Sequence, residues 1–217
     1  NQSTCNKDYS CTKGFCPSFV TVEGGQLRKK AKGAGAPSPY TLGELPEPKL
    51  PAFGQGALAA YGIVVAGVGG TGVITIGQLL GVAAHMEGKG IVTQDAAGLA
   101  QKGGATWSHV LIAERQDDIL TTRVSMAGAD LIIGCDPLVA AGKETTTRML
   151  QGRTHVALNT HATPTAAFVR NAGWQNPAEA CVAAIVQAAG VQGVGAFDAD
   201  AVATKLMGDT LFINPMI

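Results

Sequence analysis

Three cysteines near the N-terminus, Cys5, Cys11 and Cys16, are the residues best suited to hold a metal centre, and Pro17 follows the last of them. Closely spaced thiolates ending in Cys-Pro are a ligand pattern of iron–sulfur clusters. The spacing here is wider than the compact C-x2-C-x2-C run, and three thiolates are one short of a full [4Fe–4S] set. The missing ligand could lie upstream of Asn1. A zinc site would call for a Cys-x2-Cys pair or a nearby histidine, and this segment has neither. A disulfide with a spare thiol would need an oxidising compartment, for which the sequence carries no sign. The Cys-Pro ending therefore favours iron–sulfur chemistry. Cys135 and Cys181 differ: one closes an apolar run and the other sits among alanines, so both read as small buried hydrophobes.

A second chemistry is written in glycine. Gly67, Gly69, Gly70 and Gly72 fall within six residues, after a β-branched apolar run and before a stretch with helical apolar spacing that ends near Glu87. Strand, glycine turn and helix form the layout of a nucleotide-binding βα unit, in which backbone N–H groups approach a phosphate at the helix N-terminus. Gly67, Gly69 and Gly72 fit G-x-G-x-x-G, with Gly70 as an addition. The alternative is that these glycines only permit close strand–helix packing. Asp95 lies roughly where a dinucleotide-binding fold places its ribose-binding carboxylate, about 20 residues on. It reads equally well as a strand-end turn residue. His161 follows an apolar strand beside Asn159, Thr160 and Thr163, on the side where open α/β sheets bind ligands. A solvated loop histidine is the favoured reading there. No catalytic residue is assigned.

These residues need a scaffold, and the composition indicates which. The chain has 217 residues, room for one sizeable α/β domain and an appendage. Apolar residues make up 46% and aromatics 5%, so the core must be built from Ala, Val, Ile and Leu, as in a parallel sheet under Ala-rich helices. Sixteen basic and sixteen acidic residues cancel, which argues against binding nucleic acid by phosphate neutralisation. From Leu50 to Met86 there is no Asp, Glu, Lys or Arg, a span longer than the roughly 20 residues a bilayer needs. The glycine turn would fall mid-span and positive flanks are missing, so a membrane helix is rejected. No signal peptide is visible, and a cytoplasmic location is expected.

Periodicity predicts strands over 90–95, 107–113, 118–124, 129–134, 155–159 and 195–198, and a short one over 19–22. Helices are expected after the glycine turn, from Asp136 and Pro137 through Met149, over 177–189 and over 200–206. Asp136 would be an N-cap and Pro137 a first-turn residue. Residues 26–56 combine Arg28, Lys29, Lys30 and Lys32 with frequent Pro and Gly, the composition of an extended spacer. The expected organisation is a Cys-containing segment at 1–25, a linker at 26–56 and an α/β domain at 57–217. That domain is a Rossmann-like, mostly parallel sheet with flanking helices, truncated at its C-terminus. Both ends read as cuts in a longer polypeptide.

Two stretches together carry a family resemblance. Cys5-Asn-Lys-Asp-Tyr-Ser-Cys11-Thr-Lys-Gly-Phe-Cys16-Pro resembles the end of the ferredoxin-like region of the long, fused indolepyruvate ferredoxin oxidoreductases. Tyr61 to Gly77 resembles the start of the gamma-type domain that follows it. Supporting matches are Gly98-Leu-Ala-Gln-Lys-Gly-Gly104, Ser108-His109, Ala129 to Asp136 and Asn159 to Thr165. The resemblance implies oxidative decarboxylation of arylpyruvates with CoA, giving the aryl-acetyl-CoA, carbon dioxide and reduced ferredoxin. It implies thiamine diphosphate and Mg²⁺ bound outside this chain, iron–sulfur clusters for the electrons, and Cys5, Cys11 and Cys16 in the cluster-ligand region. Partners would be ferredoxin and the other domains of the same polypeptide, in a homo-oligomer when intact. The glycine turn and the Lys102-Gly103-Gly104 loop become the candidates for contact with CoA phosphate. Related gamma-type domains often carry Arg-Gly-Gly there; Lys102 keeps the positive charge without the bidentate fork.

Two other functions compete. An NAD(P)-dependent dehydrogenase domain would use Gly67 to Gly72 with Asp95, but lacks a substrate domain. A docking module would leave the glycine turn empty.

Overall fold

The computed structural model describes residues 59–97, 104–161 and 177–208, together with residues 23–25, 53–54, 173, 175, 210, 213 and 216–217. Cys5, Cys11, Cys16, the expected strand at 19–22, most of the linker, Lys102 and Gly103 lie outside the described residues. Two units divide the chain, residues 1–47 and 48–217. The second contains a six-stranded sheet.

Strand β1 (Tyr61–Val68) is buried at every position but its first. Its two faces feed two cores, which is why it reads as a continuous apolar run rather than an alternating one. Ile63 and Val65 join Val110, Ile133, Val73 and Ile76 on one face. Val64 joins Leu111, Ile132, Val156 and Leu158 on the other. After the glycine turn comes α1 (Val73–Met86), which packs Val73, Ile76 and Gly77 inward. Close approach at Gly77 is required, because a Cβ there would collide with the side chain of Ser108.

Strands β2 (Gly90–Ala97), β3 (Ala105–Ala113), β4 (Leu131–Gly134), β5 (His155–Asn159) and β6 (Val194–Phe197) complete the sheet in the order β2-β3-β1-β4-β5-β6. The β1–β4, β4–β5 and β5–β6 pairs are parallel, and β3 runs antiparallel to both β1 and β2. Five of the six strands therefore point one way, as expected for a Rossmann-like sheet. The difference is β3, inserted between β1 and β2. A parallel return needs a dozen or more connecting residues. The link from Ala97 to Ala105 is too short for that, so the chain reverses.

Two expected elements change. Residues 118–124 are not a strand; a 3-10 turn occupies Gln116–Asp118 and the chain continues irregularly, with an exposed Arg115–Asp118 pair. The helix expected through Met149 is split into α2 (Pro137–Ala140) and α3 (Lys143–Thr146). Gly142 is extended there, at φ −64° and ψ 152°. The hydroxyls of Thr145, Thr146 and Thr147 bond to the carbonyls of Val139, Gly142 and Lys143, a competition that disfavours a long regular helix. Asp136 caps α2 as expected, its Oδ1 accepting from the N–H groups of Leu138 and Val139 at 2.9 and 3.1 Å. The last helices are α4 (Ala178–Ala189) and α5 (Ala199–Met207), the latter capped by Asp198.

Asp130 clamps the N-terminal edge of the parallel strands. Its carboxylate accepts from Gly62 N and Arg153 Nε, both at 2.8 Å. Among the described residues, no helix is long and apolar enough to cross a membrane.

Candidate functional site

Parallel strands deliver their C-terminal ends to one edge, and the loops beyond that edge build the site. Val68, Gly134, Asn159 and Phe197 all end strands there. The glycine turn leaves β1 at this edge. Gly67 is extended and tightly enclosed: a Cβ would come within 2.6 Å of Thr71 Oγ1, 2.8 Å of Cys135 Cβ and 2.9 Å of Val73 Cγ2. Gly70 and Gly72 have φ of +100° and +84°, the left-handed region that favours glycine. Thr71 closes the turn, donating to Val68 O from both N and Oγ1, at 3.0 and 2.7 Å. Gly69 and Gly70 are exposed, and among the described residues nothing lies within 4 Å of a Cβ built on Gly70. Among the described residues no side chain caps the start of α1, whose first turn holds no acidic residue. Its leading N–H groups therefore remain available to an anion.

One contact extends this turn. Gly69 N donates to Gly104 O at 2.7 Å. The end of the 98–104 connection is thereby fastened to the glycine turn. Of the residues singled out from the sequence, Gly67, Gly69, Gly70, Gly72 and Gly104 come together.

Asp95 does not join them. It is exposed on β2, opposite Ser108 of β3, and β3 separates it from β1. Two inter-strand spacings, about 10 Å, lie between β2 and β1. This is not the neighbouring-strand position of a ribose-binding carboxylate.

His161 lies further along the same edge with its side chain 47% exposed. Its Nδ1 is 4.0 Å from Asp198 Oδ1, and its Nε2 is 3.9 Å from Asp200 Oδ1. Buried Asn159 organises this corner. Its Oδ1 accepts from the N–H groups of His161 and Ala199 at 3.1 and 3.0 Å, and its Nδ2 donates to Asp200 Oδ2 at 2.9 Å. The three groups offer one imidazole nitrogen and two carboxylate oxygens, all within 4.8 Å of one another. The parallel pairing of Asn159 with Phe197 brings them together, which no local spacing in the sequence announces.

Two buried groups complete the electrostatic picture. Cys135 is 3% exposed, and burial, followed by the nearby Asp136 charge, pushes its thiol up to about 12. It is an inert hydrophobe, as expected. Cys181 departs from that expectation: it is partly exposed on α4. His109 is fully buried, and among the described residues neither ring nitrogen has a hydrogen-bond partner. Burial, followed by Arg148 and Arg123, pulls its titration down to about 4 against the opposing effect of Glu144, so the ring is neutral at pH 7. Its neighbour Trp107 donates from Nε1 to Thr145 Oγ1 at 3.0 Å, fixing α3 to the sheet.

Comparison with known proteins assigns the chain to a family. Residues 62–217 match the family model described as pyruvate ferredoxin/flavodoxin oxidoreductase. The indolepyruvate oxidoreductase subunit IorB of Archaeoglobus fulgidus is 36% identical over 98 residues, 45% of this chain and 45% of that protein. The chain thus spans under half the length of that relative. The subunit of the same name from Methanothermobacter thermautotrophicus is 29% identical over 154 residues, 71% of this chain and 74% of its own length. Among solved structures, pyruvate oxidoreductase subunit PORC from Thermotoga maritima aligns with a TM-score of 0.48 and 15% identity, over 73% of this chain and 72% of its own. The chain belongs to the pyruvate ferredoxin/flavodoxin oxidoreductase family.

Proposed function

We propose that residues 57–217 are the gamma-type domain of a thiamine-dependent indolepyruvate:ferredoxin oxidoreductase, and that its glycine turn contacts the phosphate groups of CoA. In the intact enzyme an arylpyruvate loses carbon dioxide, its acyl group passes to the CoA thiol, and the two electrons released reduce ferredoxin. Thiamine diphosphate with Mg²⁺ supplies the carbon chemistry, and no residue of this chain is assigned to hold it. Cys5, Cys11 and Cys16 would contribute thiolates to an iron–sulfur cluster. The 26–56 segment would tether that region to the α/β domain, and the assembly would work as a homo-oligomer in the cytoplasm.

The observation that carries the CoA reading is the bond from Gly69 N to Gly104 O, because it fastens Gly104, the residue that follows Lys102 and Gly103 in sequence, to the glycine turn. Among the described residues, the open space at Gly70 and the uncapped start of α1 fit an anionic oxygen group. Helix N-terminal charge favours an anion by about 0.3–1 kcal/mol, and a lysine adds a point charge. The dehydrogenase reading is weakened by the position of Asp95 across β3.

The test is ferredoxin reduction by the intact enzyme with indolepyruvate, with and without CoA. CoA-dependent reduction together with aryl-acetyl-CoA formation supports the proposal, and NAD(P) reduction without CoA would overturn it. Cys11→Ser should lower both iron content and ferredoxin reduction; unchanged iron and visible spectrum would remove these thiols from the cluster.

A further inference from the structure

We propose that His161, Asp198 and Asp200 form a divalent-cation site at the C-terminal edge of the sheet, separate from the glycine turn. Three observations converge on it. The ligand set is mixed, one imidazole nitrogen with two carboxylate oxygens, and the three atoms lie within 4.8 Å of one another. Such N/O sets suit first-row divalent ions such as Mn²⁺ and Zn²⁺.

The distances are also informative. His161 Nε2 stands 3.9 Å from Asp200 Oδ1 and its Nδ1 stands 4.0 Å from Asp198 Oδ1, both beyond hydrogen-bond length. Pairing with a protonated histidine would draw these atoms to about 2.7–2.9 Å. Bonds of about 2.1 Å to a common ion put the ligand atoms of a tetrahedral site about 3.4 Å apart. One ring nitrogen binds the ion, so the carboxylate that faces the other nitrogen must swing toward it, and these rotations have to close a spread that lies within 4.8 Å.

The third observation is support from beneath. Asn159 is 3% exposed, and its carboxamide holds one oxygen of Asp200 and the backbone N–H of His161. Asp200 is thereby fixed through Oδ2, with Oδ1 left toward His161. Ligating carboxylates held by such outer partners are the usual construction of a metal site. Among the described residues, neither Asp198 nor Asp200 is ion-paired with a lysine or arginine; besides the imidazole they face only neutral donors, Ala201 N on Asp198 Oδ1 at 2.8 Å and Asn159 Nδ2 on Asp200 Oδ2 at 2.9 Å. Because the histidine and Asp198 are each 47% exposed, the ion would keep open positions for water or an anionic ligand.

Mn²⁺ is the suitable probe, since thiolates elsewhere in the chain would compete for Zn²⁺. Electron paramagnetic resonance would follow free Mn²⁺ during titration of the full chain at pH 7.5. The expected result is one site that His161→Ala and Asp200→Asn each weaken at least tenfold, while Asp95→Asn leaves it unchanged. Circular dichroism would verify that the variants are folded. Should Asp200→Asn disturb α5, His161→Ala decides alone, because no described contact of its ring supports the fold. Absence of Mn²⁺ binding, or binding indifferent to His161→Ala, would overturn the proposal.

Discussion

Replacing His109 with leucine should stabilise the protein, although it removes a fully buried core residue. The imidazole sits on β3 opposite Val64 and Gln94, and both its nitrogens lack partners. A neutral imidazole carries one donor and one acceptor, and each buried polar atom left unpaired costs about 1–3 kcal/mol. Leucine has comparable volume and no polar atom, so His109→Leu should gain at least about 1 kcal/mol at pH 7.5 after some repacking loss. The pH dependence sharpens the test. Burial holds the folded-state titration near 4, against 6.5 in the unfolded chain. Between those values only the unfolded chain binds the proton, so stability falls as pH drops through that window. At 1.36 kcal/mol per unit, the loss across the window is about 3 kcal/mol, and the leucine variant escapes it. Urea melts of both proteins at pH 7.5, 6, 5 and 4.5 supply the measurement; in the difference, all other titrations cancel. A variant that is less stable at pH 7.5, or a difference that does not grow on acidification, would mean that the ring is hydrogen-bonded or reached by water.

Other outcomes follow from particular contacts. Gly67→Ala places a methyl group 2.6 Å from Thr71 Oγ1 and 2.8 Å from Cys135 Cβ, so it should cost about 1–3 kcal/mol in urea melts; an unshifted midpoint would contradict that enclosure. Asp130→Ala strands Gly62 N and Arg153 Nε and should destabilise by roughly 2–3 kcal/mol; a change below about 0.5 kcal/mol would mean the clamp is solvated. Limited proteolysis should cut between Arg28 and Lys49 and leave a stable C-terminal core; protection of that whole stretch would refute the linker reading.

The βα unit was legible because its signals are local. Glycines at 67, 69, 70 and 72 between an apolar run and a helical pattern fix a strand–turn–helix whatever the rest of the chain does. Asp136-Pro137 was legible for the same reason, since capping is decided within one turn. Sheet order was not legible. Nothing in Gly90–Ala97 says that β3 will lie between it and β1; the short return connection decides that. The His161–Asp198–Asp200 corner depends on β5 pairing with β6, and its organiser Asn159 looks like any strand-end residue. Splitting of the 137–149 segment could have been anticipated from Gly142 and the run of threonines after it, residues that weaken helices through backbone freedom and hydroxyl competition.

The central claim is the proposal that the glycine turn, together with Lys102, holds CoA. Steady-state kinetics of the intact enzyme with varied CoA test this most directly, using Lys102→Glu. A charge-assisted phosphate contact is worth about 1.5–3 kcal/mol, so apparent CoA affinity should fall by about 10- to 150-fold. Decarboxylation of indolepyruvate should be largely spared, because the proposed function assigns the thiamine chemistry to no residue of this chain. An unchanged apparent affinity for CoA in the Glu variant, or tight competition by NAD(H) in the unaltered enzyme, would contradict the account.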